Sequence, residues 1–491
     1  MDYEKYKKID KYILKSIYLS LMIPLIIFLL FWYKLYISLP IIALLIYLYV
    51  RAIKSIKYKN KKEYCNIFNL KRWLLIIIAI VSLNIVSGSG GFMYQNWDYN
   101  ARNAVMHDLI DYKWPVKYKY DKNDAICEIV GEEGRLSYYF IYWLPSAAIG
   151  KITGFEIANK FLFIYQTILL IFFFYLLSRL FNKNSLWFLI IFFAFSGLDI
   201  IGSYIINKNY TFLLGSHIDT WGLPVAYSSN ITQLFWVFNQ SIPAWIITLL
   251  FLNAKSYKNI GILLVLSLAF SPFPTIGLVL LITYYLLIGF KNNRIIERLK
   301  DIFSKENLIA IIPFIIIALF YINNANSQPK GLLLNKGNYF KLMVIVMFFE
   351  FILLSILCVN KKNYKYIIFN AICLIICSQF YLGSGSDFMN RTTIPLLLVL
   401  FIYCIDVLKK GKKGIQYTLI ICYLCFSSIT NVSEVYRSIE NTKNNEINNI
   451  SNLSDNWKTY GKTVHEDAMK TYIKNFSSPY KHNLIDKYIF R

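Results

Sequence analysis

The run WLLIIIAIVSLNIVSGSGGFMYQNWDYNARNAVMHDLIDYKWP, Trp73 to Pro115, decides the fold. Trp73 to Val86 read as a hydrophobic helix inside a bilayer, and the SGSGG segment at Ser87–Gly91 ends it. Asp98 and Asp108 therefore stand just outside a span, and ionisable groups at a membrane mouth are costly enough to mark a site. Beyond Asp98, the residues Ala101, Ala104, Val105, Leu109 and Ile110 recur at helical spacing. That amphipathic stripe predicts a helix lying along the bilayer surface, closed by Trp114 and Pro115.

Composition extends this reading to the whole chain. With 57% hydrophobic residues, 39 Tyr and 37 Phe among 491 residues, the protein reads as one all-α polytopic membrane protein. Its apolar runs predict about thirteen transmembrane helices, near 13–32, 37–52, 73–88, 157–178, 186–199, 233–253, 259–271, 274–290, 307–322, 340–358, 365–380, 393–408 and 415–429. The pair flanking FSPFPT reads as broken or re-entrant. The first run, Tyr12 to Trp32, has no small-residue cleavage site behind it and is expected to be retained as a span. Residues 1–429 then form a transmembrane domain whose first external loop, 88–156, carries surface helices, and 430–491 form a short external tail.

The formal net charge of +24 invites a nucleic-acid reading, but its distribution argues against one. Arg51, Lys54, Lys57, Lys59, Lys61, Lys62, Lys71 and Arg72 crowd one loop, while Lys361, Lys362 and Lys365, and then Lys409, Lys410, Lys412 and Lys413, crowd two others. Starting from a cytoplasmic amino terminus, every basic loop falls on one side, which is positive-inside topology. Of eight cysteines, six lie in or beside apolar spans, so a disulfide framework is not expected.

The remaining loops face outward and differ in chemistry. Between Gly88 and Leu136 stand eight acidic and six basic residues. FSGLDIIG brings Asp199, GSHIDTWG brings His217, Asp219 and Trp221, NNANSQPKG brings Lys330, and GSGSDFMNRTTIP brings Asp387 and Arg391. Polar groups are thus expected to converge at one membrane face.

The segment YYFIYWLPSAAIGKITGFEIANKFLFIYQTILLIFFFYLLSRLFNKNS, following an Asp-bearing first loop, resembles the corresponding region of GT-C membrane glycosyltransferases. Tyr138, Tyr139, Trp143, Gly154, Phe155 and Arg179 to Phe181 carry the resemblance, which covers roughly residues 73–200. It implies that LSYYFIYWLPSAAIG is a partly buried helix of the external loop rather than a span. It also implies a function: transfer of a sugar from a polyprenyl-phosphate donor to a glycan, lipid or polymer acceptor of the cell envelope, at the outer face.

Such a reaction needs a carboxylate to take the acceptor proton and cations to stabilise the departing phosphate. Asp98 is the expected general base. Arg391 is the first choice for the phosphate because its planar fork can pair with phosphate oxygens, with Arg102, Arg135, Lys330 and Lys336 in reserve. Asp199 matches a second polar or acidic position of the superfamily and is expected beside Asp98 as a catalytic residue, where with Asp219 and His217 it could orient acceptor hydroxyls; His217, Asp219, Trp221 and Asp108 are expected to bind the acceptor or sugar. No cofactor follows from the sequence, and a divalent metal is an option that no motif demands.

Each assignment has a plainer competitor. Asp98 could cap the following helix, Arg102 at i+4 could be its structural partner, and Asp108 could belong to a solvated face. Asp387 and Arg391 could form a simple i,i+4 pair, and the tryptophans could anchor the interface. Glu350 lies inside the tenth span, where a hydrogen-bonded structural role is expected ahead of a proton path. The Asn-x-Ser/Thr triplets fit chance in an Asn-rich chain with the compositional bias of an AT-rich bacterial genome. No phosphate-cradling Gly loop, zinc-spaced Cys/His set or nucleophile elbow occurs. Two other readings remain at this stage. A flippase or transporter for a lipid-linked glycan would be expected to show internal repeats and mid-membrane charges, and a glycan polymerase or ligase to carry its basic residues in a late external loop.

Overall fold

The structure is a computed structural model that describes residues 2–122, 125–254, 256–288, 295–325, 330–333, 339–382, 386–410, 414–444, 453, 470 and 473–491. Among these, eight helices are long and apolar enough to cross a membrane: Tyr3–Trp32, Leu35–Lys54, Lys61–Val86, Phe155–Phe181, Leu186–Ile206, Lys305–Asn324, Tyr339–Cys358 and Ile415–Lys443. The chain is a multi-pass, helical membrane protein. The other five predicted spans coincide with shorter helices of 11 to 17 residues: Phe238–Asn253, Ile260–Phe270, Pro272–Ile288, Tyr364–Ser378 and Ile394–Lys410.

Local chemistry accounts for the interruptions. Pro272 cannot continue the helix ending at Phe270, and Ser271 between them takes extended backbone, so FSPFPT is a break between two helices. Tyr257 Oη donates to the Tyr285 carbonyl at 2.7 Å, which brings the far ends of the two helices together as a hairpin. Its tip points to the same end of the bundle as Tyr139, whose ring lies 5.9 Å from that of Phe273. The Leu186–Ile206 helix is likewise two pieces, with Phe195–Leu198 unwound and Asp199 opening the second piece, where a carboxylate meets the positive end of the helix dipole.

Aromatic rings form much of the core at the carboxyl-terminal end of the first helix. Phe28 packs at 4.9 Å from Phe320 and 5.8 Å from Phe140, and Trp32 at 4.9 Å from Phe140. The LSYYFIYWLPSAAIG segment is no span: a short turn at Phe140–Trp143 leads into the Leu144–Thr153 helix, and Phe140 to Leu144 are buried.

Two features depart from an all-helical, surface-helix picture. The Asp98–Asp111 helix buries its apolar stripe at Ala101, Ala104, Val105 and Leu109 together with Asp108, which falls within the stripe, and also buries Arg102 at its edge and Asn103 and Met106 on the opposite side. It is therefore an interior helix, because folded parts of the loop cover the side expected to face solvent. That cover includes short strands, β1 (Lys117–Lys119) and β2 (Glu133–Leu136), which join an antiparallel sheet in the order β1-β2-β5; β3 (Lys330–Leu332) pairs with β4 (Phe380–Leu382), and β5 is Ser477–Pro479.

The end of the chain thus returns to the first loop. Arg135 on β2 donates to Asp486, and Asn323 also donates to Asp486 at 2.6 Å. Lys34 N donates to the Ile489 carbonyl at 3.0 Å and Arg491 N to that of Trp32 at 3.0 Å. Within its described part, 473–491, the tail caps this end of the bundle.

Candidate functional site

The Asp98–Asp111 helix presents Asp98 in its first turn, where the helix dipole favours a negative charge. Trp97 occupies the cap position and makes no side-chain cap, so Asp98 is not the capping residue. Its partner is Arg102, one turn on, whose Nη2 donates to Asp98 Oδ2 at 2.7 Å. The Arg102 side chain is 3% exposed and that of Asp98 31%. The guanidinium centre lies 5.6 Å from the Tyr99 ring and 5.3 Å from the Phe238 ring, and Nε and Nη1 have no hydrogen-bond partner. Aromatic faces surround it. Arg102 thus holds Asp98 through Nη2.

A second pair faces this one. In the Asp387–Thr392 helix, Arg391 Nη2 donates to Asp387 Oδ1 at 2.7 Å, with Arg391 14% exposed. Burial works against the Arg391 charge, but Asp387, Tyr138 and Asp98 together raise its pKa above the ordinary arginine value. Tyr138 registers both pairs: burial raises its pKa, Arg102 and Arg391 lower it, and Asp98 and Asp387 raise it again. Four charges from two distant stretches of chain therefore act on one phenol. Tyr139 packs beside it at 5.3 Å, and Asn239 Nδ2 donates to the Tyr139 carbonyl at 3.4 Å. Phe476 of the tail stacks on Tyr138 at 4.4 Å.

The residues expected on the acceptor side form a separate cluster. Trp221 Nε1 donates to Asp199 Oδ1 at 2.9 Å and to Glu350 Oε1 at 2.7 Å, and Asp199 also accepts from Ser196 at 2.9 Å and Thr430 at 2.6 Å. Glu350 sits on a widened turn, Phe348–Ile352, and meets Gly197, where a Cβ would stand 2.2 Å from its Oε2; only glycine permits that approach. The expected hydrogen-bonded role of Glu350 is what the geometry contains. Asp219 accepts from Ser229 N at 3.0 Å, and burial and then Asp199 push its pKa up to about 7. His217 Nδ1 meets Glu434 Oε1 at 2.5 Å and its ring stacks on Trp236 at 4.5 Å. Burial opposes the His217 charge, but the Glu434 bond raises its pKa.

One segment forms a wall between the clusters. Asn96, two residues before Asp98, donates to the Phe235 carbonyl at 2.9 Å; Trp236 follows in the second cluster, and Phe238 packs under Arg102 in the first.

Other predicted residues lie elsewhere. Asp108 is buried, not part of a solvated face, and accepts from Tyr118 Oη at 2.7 Å because the β1 strand folds over it. Arg135 is committed to Asp486 in the tail contact. Lys330 is exposed on β3, opposite Leu382 on β4, and Lys336 lies outside the described residues. A cavity of about 60 Å³ beside Arg179, Tyr18 and Asn253 involves none of these residues.

Sequence reasoning passed over Glu434, Arg437 and Thr430. The signal was length: the Ile415–Lys443 helix has 29 residues, more than the ~20 a bilayer needs, so its polar end must project from the membrane. Among the described residues no group of three or more His, Cys, Asp or Glu side chains is arranged to hold a metal ion. No family model, curated protein or solved structure matches the chain.

Proposed function

We propose that this protein is a membrane glycosyltransferase of the GT-C kind, moving a sugar from a polyprenyl-phosphate donor to an acceptor hydroxyl at the outer face. In this reading the chain crosses the membrane thirteen times with its basic loops in the cytoplasm. The acceptor oxygen attacks the anomeric carbon from the side opposite the phosphate, its proton passes to Asp98, and the bond from the anomeric carbon to the phosphate oxygen breaks with inversion. The negative charge that develops on the phosphate is stabilised by Arg391. Arg102 orients Asp98.

The observation that supports this reading is the action of both ion pairs, Asp98–Arg102 and Asp387–Arg391, on Tyr138. It sets a half-exposed carboxylate and a guanidinium from separate elements at one mouth, as base and leaving-group stabiliser require.

The test uses purified protein in nanodiscs with polyprenyl-phosphate sugars and cell-envelope acceptors, following loss of sugar from the lipid by mass spectrometry. In parallel, a fluorescent polyprenyl-phosphate sugar is assayed for movement between leaflets in sealed vesicles. Transfer without leaflet movement is the expected result. Movement without transfer would establish a flippase instead.

A further inference from the structure

The His217 cluster has a feature that acceptor-hydroxyl binding does not use. Trp236 lies between two cationic groups, with the His217 ring stacked at 4.5 Å and the Arg437 guanidinium centre 5.1 Å from the indole ring. Both cationic side chains and the Trp236 Nε1–H bond to the same carboxylate, Glu434, which is 1% exposed. One buried carboxylate, Glu434, thus serves two cation-forming side chains, Arg437 and a histidine whose pKa it raises. Asp219 beside it, with its pKa pushed up to about 7, carries only part of a negative charge near neutrality. Arg437 donates to Glu434 through Nη2 and keeps 16% of its side chain exposed, and His217 keeps 26%. The charge is therefore reachable.

The surface around these groups is apolar. Gly215, two residues before His217, lies beside Tyr436, whose ring a Cβ added at Gly215 would approach to 3.3 Å, and Tyr436 directly precedes Arg437. On this rim Phe212, Leu213, Leu214 and Tyr436 are exposed, Leu213 at 73%. Val432, Tyr436 and Ile439 continue it along one face of the Ile415–Lys443 helix, the same helix that runs through the membrane. Water-facing loops seldom carry such a strip, and a strip continuous with a span belongs to the lipid. A cation-bearing recess bordered by lipid-facing side chains fits an amphipathic ligand with an anionic head.

We propose that the His217–Trp236–Arg437 recess binds the phosphate of a lipid-borne acceptor, whose chain lies along the Phe212–Leu214 and Tyr436 surface. This rests on the glycosyltransferase reading for the word acceptor, whereas the lipid-phosphate site stands on its own geometry. The protein then has two lipid-phosphate positions, one at Arg391 for the donor and one at Arg437. The wall from Phe235 to Phe238 separates them.

Counting bound lipids separates the two claims. The full-length protein is loaded in detergent with polyprenyl phosphate and examined by native mass spectrometry, alone and with inorganic phosphate added as a competitor. Two polyprenyl phosphates per chain are expected, with Arg437→Gln and the surface variant Leu213→Ser each lowering the count toward one, and Arg391→Gln removing the other. Leu213→Ser guards against misfolding, because that side chain is almost free of contacts. If Arg437→Gln and Leu213→Ser both leave the count unchanged, the recess is not a lipid site. If inorganic phosphate displaces the second lipid at millimolar concentration, the ligand is a soluble phosphate and the lipid-borne acceptor is overturned. Loss of effect at Arg391→Gln alone counts against the donor assignment and leaves the Arg437 site standing.

Discussion

Arg102 Nη2 stands 2.7 Å from Asp98 Oδ2, with the guanidinium closed in by Tyr99 and Phe238, so the part-exposed carboxylate is held by a buried cation on its own helix. The i,i+4 pairing foreseen as the plain alternative is present, and it is compatible with a base held in a fixed direction.

Asp98→Asn keeps an oxygen for Arg102 but removes the proton acceptor. Transfer should fall about 10²- to 10⁴-fold while the melting temperature in detergent changes little. Sugar transfer at the wild-type rate would reduce Asp98 to a structural partner of Arg102.

Arg391 and Asp387 call for a double-mutant cycle. If Arg391 meets charge that grows during transfer, Arg391→Lys should lose more transfer than donor binding, because a point charge replaces a forked donor. If the pair is only structural, Arg391→Ala and Asp387→Ala should melt alike and the double variant no worse than either. Equal melting losses with unchanged transfer per folded molecule would remove the phosphate role.

How much of this was legible beforehand depended on the length scale of the signal. Helix positions follow from long apolar runs, so all eight long helices fall on predicted spans. His217, Asp219, Trp221 and Asp199 come together in space because they lie within one stretch of loop and its adjoining helix end, whereas Asp108, grouped with them, lies elsewhere. Burial of Asp108 was hidden by its charge: it falls on the face of the apolar stripe, and the hydrogen bond from Tyr118 on β1 that satisfies the carboxylate there comes from a strand no helical pattern reveals. The Arg135–Asp486 pair was equally hidden: no local pattern links residues 351 positions apart. Glu350 was flagged by cost alone, and its partner Trp221 could only be found in three dimensions.

Stability should depend on pH through Asp219. Folded Asp219 holds its proton up to about pH 7, whereas the unfolded chain releases it near the ordinary value of 3.8. The resulting stability is complete below the unfolded value and is lost as pH rises through about 7, and His217, whose pKa is also raised, acts in the same sense. Wild-type melting temperature should therefore fall between about pH 4 and 7, and Asp219→Asn should flatten that slope. The contribution is on the order of a few kcal/mol. An unchanged slope in Asp219→Asn would assign the pH dependence elsewhere.

Orientation can be read by labelling. An impermeant maleimide should modify Lys122→Cys in intact cells, and Lys300→Cys, in the exposed Ile295–Ile302 helix of a basic loop, only after lysis. The reverse pattern would put the Asp98 mouth in the cytoplasm and end the outer-face reading.

The tail contact makes the last prediction. Arg135 and Asp486 are both nearly inaccessible, at 9% and 1% side-chain exposure, and Asn323 binds the same Asp486 oxygen at 2.6 Å. Removing one partner of a buried pair leaves the other charge desolvated and unpaired, at a cost of ~3–5 kcal/mol. Arg135→Met and Asp486→Leu should each lower the melting temperature strongly, and the double variant should recover much of the loss, because no unpaired charge then remains. Deleting residues 477–491 should resemble Asp486→Leu and in addition uncover Tyr138, since Ser137 N donates to the Phe476 carbonyl beside the strand contact. Melting curves for the four variants check the energetics. Transfer by the double variant checks the site: if Arg135 were a phosphate ligand, a refolded Arg135→Met/Asp486→Leu protein would remain inactive, whereas a purely architectural pair predicts activity that returns with stability.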